Sequence, residues 1–418
     1  MAGPQEANGV KEERVHHREG TPAQGVVFKV EIPTVPAKES VELLDGGGRA
    51  YPAMLSAIAR ARTSVDLEVY AFAASGVGAR FVEALGNAAR RGVAVRVVID
   101  GWGSARRGRA VANSLREAGC EVRIYHRLLA LLVGRFGRNH RKLLIVDDEI
   151  AFLGGINIGD ENLDEGAYLG WADLALAIRG PQCARLGAMI RHQPLGSVNS
   201  SLRIHLCGLG GGWRLRRRYI KMFAAARTRI HIAHGYFLPD RGVVRAITTA
   251  ARRGVQVRLL VAGRSDVPFA RAATRSLYRR LLAAGVSIHE WNESVLHAKV
   301  ATVDGNGLLL GSFNLDPFSL ANLETLVEVN DRAVVLQTEA WIQDHMDRSR
   351  VITSLETMSR TRRWLLDPLG RFVARFADTI SRVIASRKRR RASTDYFVSA
   401  AATDEDRGPA DTSTKDDP

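Results

Sequence analysis

One pattern occurs twice in this chain, with every member of the second copy displaced by 157 positions. RNHRKLLIVDDEIAFLGGIN (138–157) holds His140, Lys142 and Asp147 in the spacing H-x-K-x4-D, followed by Gly154, Gly155 and Asn157. LHAKVATVDGNGLLLGSFN (296–314) returns His297, Lys299, Asp304, Gly311, Ser312 and Asn314. With 11 His, 8 Lys and 23 Asp in 418 residues, random placement predicts about 0.01 matches to that spacing. The chain therefore has two related halves, and its fold must accommodate the same segment twice.

The surrounding order repeats as well. Helical spacing over 51–62, 78–91 and 110–118 alternates with strand-like runs over 65–72, 93–100 and 121–125, which argues for an α/β layered sheet. Ala61-Arg62-Thr63 has its echo in Ala226-Arg227-Thr228. The run Ala89 to Val93 matches Ala251 to Val255, and Ala118-Gly119 matches Ala284-Gly285. Two copies make two lobes, not a solenoid.

Within each copy the apolar runs 143–146 and 300–303 read as buried strands. Residues two apart on a strand share a face, so imidazole and ammonium stand side by side at its start. The aspartate is five residues beyond the lysine, about 16 Å along an extended strand, which suits a structural role at the strand end. Gly154-Gly155 and Gly311 permit a tight turn that returns Asn157 and Asn314 toward the start. Lysine usage singles out the same positions. Arg supplies 52 of the 60 basic residues, and between 40 and 360 only Lys142, Lys221 and Lys299 occur. A compact ammonium suits a tight phosphate pocket better than a broad guanidinium does.

The duplicated H-x-K-x4-D followed by G-G/S-x-N resembles the phospholipase D superfamily. AHGYFLPDRGVVRAITTAARRGVQVRLLV, LHAKVATVD and GSFNLDPFSLANLE resemble, more narrowly, the bacterial cardiolipin synthase family of the type without transmembrane helices. The likeness spans roughly residues 40 to 355. It implies an α/β fold of two similar lobes, each a mixed sheet flanked by helices, related by pseudo-two-fold symmetry around one shared active site. It implies that His140 forms a phosphohistidine and His297 acts as general acid, with the two roles open to exchange.

On that reading the catalytic set is His140, Lys142, Asp147, His297, Lys299 and Asp304. Asn157 and Asn314 bind the substrate phosphate, with Ser312 as a further candidate whose alternative is a turn role. Asp173 and Glu324 resemble the family's acidic position and are expected to orient the imidazoles; the alternative for each is a surface carboxylate. No metal or other cofactor is implied. Glu68 has no acidic counterpart in the second half (Ala233) and reads by default as a solvated strand face. His231 and His234 lack the further ligands a zinc site needs, which leaves packing or substrate contact near Tyr236. The arginine clusters at 105–109, 214–218 and 276–280 read as solvated faces or headgroup contacts.

The formal net charge of +16 calls for a polyanionic partner, nucleic acid or an anionic membrane. Residues 1–25 are polar and charged, so no signal peptide is expected, and no apolar run reaches the length of a spanning helix. The expected organisation is a disordered tail over 1–38, lobes over 39–200 and 201–358, a basic amphipathic helix over 359–391 and a disordered tail over 392–418. In the basic helix Leu369, Phe372, Val373, Phe376 and Ile380 face away from Arg371, Arg375 and Arg382, as an interfacial helix requires. Leu128 to Phe136 is either an apolar loop at the pocket mouth or a buried hairpin. Together these features favour a peripheral enzyme on the cytoplasmic side of the cell membrane, with phosphatidylglycerol as substrate and nucleic acid disfavoured. Hydrolysis by a phospholipase D, a nuclease of the same superfamily and a catalytically dead membrane scaffold are the alternatives.

Overall fold

The computed structural model describes residues 39–104, 108–125, 137–164, 169–194, 200 and 202–353. The expected tails, the basic helix over 359–391 and the segment Leu128 to Phe136 lie outside these residues.

The first half runs β1 (Ser40–Asp45), α1 (Gly46–Arg60), β2 (Ser64–Val69), α2 (Val77–Arg90), β3 (Ala94–Asp100), α3 (Gly108–Glu117), β4 (Glu121–Tyr125), β5 (Leu143–Val146), β6 (Ile150–Gly154), β7 (Leu174–Arg179) and α4 (Pro181–Ile190). The second half runs β8 (Arg203–Cys207), α5 (Gly212–Ala225), β9 (Arg229–His234), α6 (Arg241–Arg252), β10 (Gln256–Ala262), α7 (Pro268–Ser276), α8 (Tyr278–Leu282), β11 (Ser287–Trp291), β12 (Lys299–Val303), β13 (Gly307–Gly311), β14 (Glu324–Val329), α9 (Arg332–Asp347) and β15 (Arg350–Ile352).

The strand orders β1-β7-β6-β5-β2-β3-β4 and β8-β14-β13-β12-β9-β10-β11 are the same order twice, with β15 added to the second edge. In each sheet three strands run parallel (β2-β3-β4, β9-β10-β11) and the motif hairpin joins them antiparallel. The mixed sheets thus follow from the βαβ alternation followed by a tight hairpin and a longer antiparallel return. Matched glycines make the matched turns: Gly92 at φ 89 and Gly254 at φ 92 take the left-handed conformation at the end of each A-R-R-G-V repeat.

Every residue of β5 is buried because the strand is covered on both faces. Leu143 and Ile145 enter one core, while Leu144 and Val146 enter another. The first of these cores is shared: Leu143, Leu153, Leu174 and Leu176 of one sheet pack with Val300, Leu308, Leu310 and Val327 of the other, and with Val335 and Ile342 of α9. Outside it, α1 to α3 cover the first sheet with Tyr51, Phe81 and Leu115, and α5, α6 and α8 cover the second with Tyr219, Ile247 and Leu281. Two β-sheets packed face to face therefore lie between outer helices. Trp341 of α9 donates to the Asp45 carboxylate at 2.7 Å, tying the second half to the first strand.

Asp147 and Asp304 end β5 and β12 in matched left-handed conformations, φ 53 and φ 54. The Asp147 carboxylate accepts from the backbone N–H of Arg62, Thr63 and Ser64 and from the Thr63 hydroxyl, at 2.8–3.1 Å. Asp304 repeats this with Arg227, Thr228 and Arg229. Each is half-buried, which alone would raise its pKa; the N–H donors outweigh that and hold it below the ordinary value. These two motif aspartates fasten the start of β2 and of β9, at the end of the sheet away from the imidazoles. Their contacts are with the backbone and a threonine, as a structural role at the strand end requires.

Candidate active site

The two halves meet through their motif strands. Just before β5, Asn139 forms a bridge to Leu323, and just before β12, Leu296 forms one to Ala172. His140 N–H donates to Leu323 O at 3.0 Å, and His297 N–H donates to Ala172 O at 2.9 Å. Leu323 and Ala172 each precede an acidic residue, so this backbone pairing delivers a carboxylate across the interface. His140 Nδ1 lies 3.1 Å from both carboxylate oxygens of Glu324. His297 Nδ1 lies 2.6 Å from Asp173 Oδ2. Each imidazole is oriented by the opposite half of the chain. With Nδ1 donating to a carboxylate, the lone pair of a neutral ring is at Nε2.

All four groups are buried. Burial lowers the pKa of His140 and His297; the adjacent ammonium groups lower it further, and the paired carboxylates only partly offset this. Burial would raise the pKa of Glu324 and Asp173, yet both fall, through His140 and Lys142 around Glu324 and through Lys299 and His297 around Asp173. These directions favour neutral imidazoles facing ionised carboxylates.

Lys142 and Lys299 complete it. Each Nζ donates to the carbonyl of its own histidine, two residues back. Burial depresses Lys142 to about 7, assisted by the charge of Lys299. Burial depresses Lys299 to about 8, with Asp173 and Glu324 opposing. A phosphodiester anion would relieve both, since it adds the charge the lysines lack. Aromatic rings wall the cluster: Tyr70 has its centroid 4.8 Å from His140 and 5.0 Å from Lys142 Nζ, while Trp171 and Tyr236 stand 5.2 and 5.8 Å from His297. Tyr70 and Trp171 escaped sequence reasoning because neither is repeated in the other half.

The turn residues behave unequally. Asn157 Oδ1 accepts from Ala71 N–H at 3.2 Å, while the Oδ1 of Asn314 is buried without a hydrogen-bond partner. Both are buried. Ser312 is turned to the carboxylate that pairs with His140. It is fully buried, donates its hydroxyl to Glu324 Oε2 and accepts from Thr325 N–H at 2.9 Å. Its role is to hold the carboxylate that holds His140. The first half has Gly155 there because Asp173 fills the space: a Cβ on Gly155 would sit 2.2 Å from Asp173 Oδ1.

The halves differ most around the two imidazoles. Glu68 is buried in a salt bridge to Arg141 at 3.2 Å and accepts from Asn139 Nδ2 at 3.1 Å, so it is no solvated strand face. Arg141 also reaches the Cys207 carbonyl of the second half at 2.9 Å, and Asp100 accepts from Asn139 N–H at 2.8 Å. The equivalent positions of the second half, Ala233, Leu296, Ala298 and Ala262, are apolar and buried. His231 and His234 are buried on β9 with no partner at either ring nitrogen. Three residues apart on a strand, they point to opposite faces and do not converge. Among the described residues no group of three His, Cys, Asp or Glu is arranged to hold a metal, and no helix is long and apolar enough to cross a membrane.

The chain resembles known proteins in sequence and in fold. The family model described as cardiolipin synthase, PLD-like domain, matches residues 54–172 and 219–346. Cardiolipin synthase B of Salmonella typhi is 35% identical over 316 residues, covering 70% of this chain and 76% of that protein. Cardiolipin synthase B of Escherichia coli K12 is 33% identical over 319 residues with the same coverage. Among solved structures, phosphatidylserine synthase of Haemophilus influenzae Rd KW20 superposes with a TM-score of 0.63 at 15% identity, over 83% of this chain and 94% of that one. The last likeness concerns the fold alone.

Proposed function

The chain belongs to the cardiolipin synthase family of phospholipase D-like proteins, and we propose that it transfers a phosphatidyl group to phosphatidylglycerol through a phosphohistidine. The observation that carries this reading is the crossed pairing of His140 with Glu324 and of His297 with Asp173. It supplies two equivalent imidazoles with oriented Nε2 atoms, beside two lysines, at one interface.

In the first step His140 Nε2 attacks the phosphorus of a phosphatidyl donor. The N–P bond forms as the P–O bond to the headgroup breaks, and His297, protonated at Nε2, gives its proton to the departing alkoxide. With phosphatidylglycerol as donor the leaving alcohol is glycerol. Lys142, Lys299, Asn157 and Asn314 balance the charge on the non-bridging oxygens. The entering phosphodiester supports the imidazolium that His297 needs, against the burial that otherwise keeps it neutral. In the second step His297 takes the proton of a phosphatidylglycerol hydroxyl. That oxygen attacks phosphorus, the N–P bond breaks, and cardiolipin leaves with His140 restored.

The same residues serve with water as acceptor, so the products decide. Purified protein given labelled phosphatidylglycerol in liposomes should yield cardiolipin and glycerol; phosphatidate as the main product would make it a hydrolase. A synthase-deficient strain expressing His140→Ala should contain no cardiolipin, and normal cardiolipin there would refute the assignment. Cleavage of single-stranded DNA in place of lipid turnover would redirect the reading to a nuclease.

A further inference from the structure

We propose that the active-site face docks onto an anionic phospholipid bilayer through a rim of apolar side chains, Trp102, Leu209 and Phe318 on one side of the site and Leu169 and Val267 on the other. This rests on the lipid-transfer reading above and adds how the protein is oriented when it works.

Among the described residues seven large hydrophobic side chains are exposed, and these five are all in loops beside the site. The first three come from different loops and both halves of the chain, yet they are joined. The Trp102 ring lies 4.8 Å from the guanidinium of Arg138. A Cβ on the neighbouring Gly137 would meet Leu209 Cδ2 at 2.2 Å, so Leu209 packs on that backbone. Gly210 N–H donates to Ala321 O at 3.2 Å, and Ala321 N–H donates to Phe318 O at 2.9 Å. The path passes within two residues of His140. Across the site, Leu169 is two residues from Trp171, which faces His297, and Val267 follows Asp266, whose carboxylate holds the Tyr236 hydroxyl at 2.6 Å.

Single exposed hydrophobes are ordinary, but grouping in the loops flanking one buried site is not. Phe318 is 62% exposed, Leu209 49% and Trp102 46%, and water is a poor environment for three such groups in a row. Arg138 beside Trp102 is the pairing that suits the headgroup level, an aromatic ring at the acyl boundary with a cation at the phosphates. The net charge of +16 favours an anionic surface over a neutral one. Depth gives a further reason: His140 and His297 are 8% and 4% exposed, so a lipid phosphate reaches them only if the mouth lies flush with the headgroups.

The full chain is tested with sucrose-loaded vesicles of phosphatidylglycerol and phosphatidylcholine. The triple variant Trp102→Ser/Leu209→Ser/Phe318→Ser should partition about tenfold or more weakly than wild type, as expected for removing three inserted apolar side chains. Its turnover of monomeric short-chain phosphatidylglycerol should stay within about twofold. Leu336→Ser/Val351→Ser, at exposed apolar positions outside the rim, should bind as wild type. Vesicles with brominated acyl chains should quench wild-type tryptophan fluorescence by an amount that Trp102→Phe abolishes. Unchanged vesicle binding in the triple variant, or equal quenching in Trp102→Phe, overturns the proposal. So does a triple variant that alters only self-association, which would make the rim a contact between copies. If wild type binds vesicles through the rim but turns over no lipid, the docking stands and the transferase reading fails.

Discussion

Glu324, in the second half of the chain, grips the imidazole of His140 in the first, with both carboxylate oxygens 3.1 Å from Nδ1. Asp173 returns the arrangement to His297. Each motif imidazole therefore depends on the opposite half for its partner. The pairing explains why two copies of one fold stay face to face around a shared apolar core. Removing either carboxylate from the folded protein would leave a buried imidazole without the group that orients it.

The crossing makes the carboxylates a first target. Glu324→Gln and Asp173→Asn keep the shape and remove the charge that fixes the ring. Each should lower kcat by on the order of 10²-fold, about 2.7 kcal/mol of transition-state stabilisation, with less effect on KM. Steady-state kinetics on short-chain phosphatidylglycerol checks this. A kcat within threefold of wild type in both variants would remove the carboxylates from the mechanism.

The lysines set the pH dependence. A lysine is charged below its pKa, and burial brings Lys142 to about 7 and Lys299 to about 8. The ammonium groups are thus present at pH 6 and lost as the pH rises through this window. We expect kcat/KM to fall from about pH 7 upward, because it reports the free enzyme, while kcat holds to higher pH because bound phosphate keeps the lysines charged. Protonation of the nucleophilic imidazole produces the acid limb, below the ordinary histidine range. A kcat/KM that rises between about pH 7 and 9 would contradict these assignments.

Gly155 and Ser312 occupy equivalent positions and should respond in opposite ways. Gly155→Ala drives a methyl into Asp173, whose oxygen is 2.2 Å from the Cβ position. Ser312→Gly imitates the first half, removing a hydroxyl donor from Glu324 and the acceptor of the Thr325 N–H. The first change should lower kcat by about 10²-fold, and the second by roughly tenfold. The reverse order would show that Ser312 meets the substrate directly.

Asp147 and Asp304 test the separation of folding from chemistry. Asp147→Ala orphans three backbone N–H groups and leaves alanine in a left-handed conformation. Stability should drop by roughly 2 kcal/mol, read from denaturant midpoints at constant m. At low temperature the folded variant should keep kcat within about threefold of wild type. A large loss of kcat without loss of stability would return the aspartate to the catalytic group.

Repetition decided what could be read from the chain. His140, Lys142 and Asn157 stood out because the pattern recurs, and β5 and β12 because double-sided burial leaves a continuous apolar run. Outer helices such as α2 were visible through Val77, Phe81, Leu85 and Ala88, which share one buried face. Edge strands were harder. Ser40–Asp45 mixes polar and apolar residues and becomes a strand only by pairing with Leu174–Arg179, far along the chain; Arg350–Ile352 depends likewise on β11. Asp173 and Glu324 were placed near the site by their resemblance to the family's acidic position. Their exchange between halves was not legible, because it arises from two backbone bridges spanning the interface. Glu68 was misread for lack of a repeat: Ala233 stands opposite, and the Arg141 that buries Glu68 has only Ala298 as its counterpart.

The claim that both halves act on a single phosphorus is tested most directly by the stoichiometry of the covalent intermediate. Rapid quenching of His297→Ala with a phosphatidyl donor labelled at phosphorus, bearing a leaving group that needs no acid, should trap one phosphorus per chain, on His140. Glu324→Gln added to this variant should slow the labelling, although Glu324 belongs to the other half. Two labels per chain, or labelling of His140 at an unchanged rate when Glu324 is altered, would mean that each half works alone.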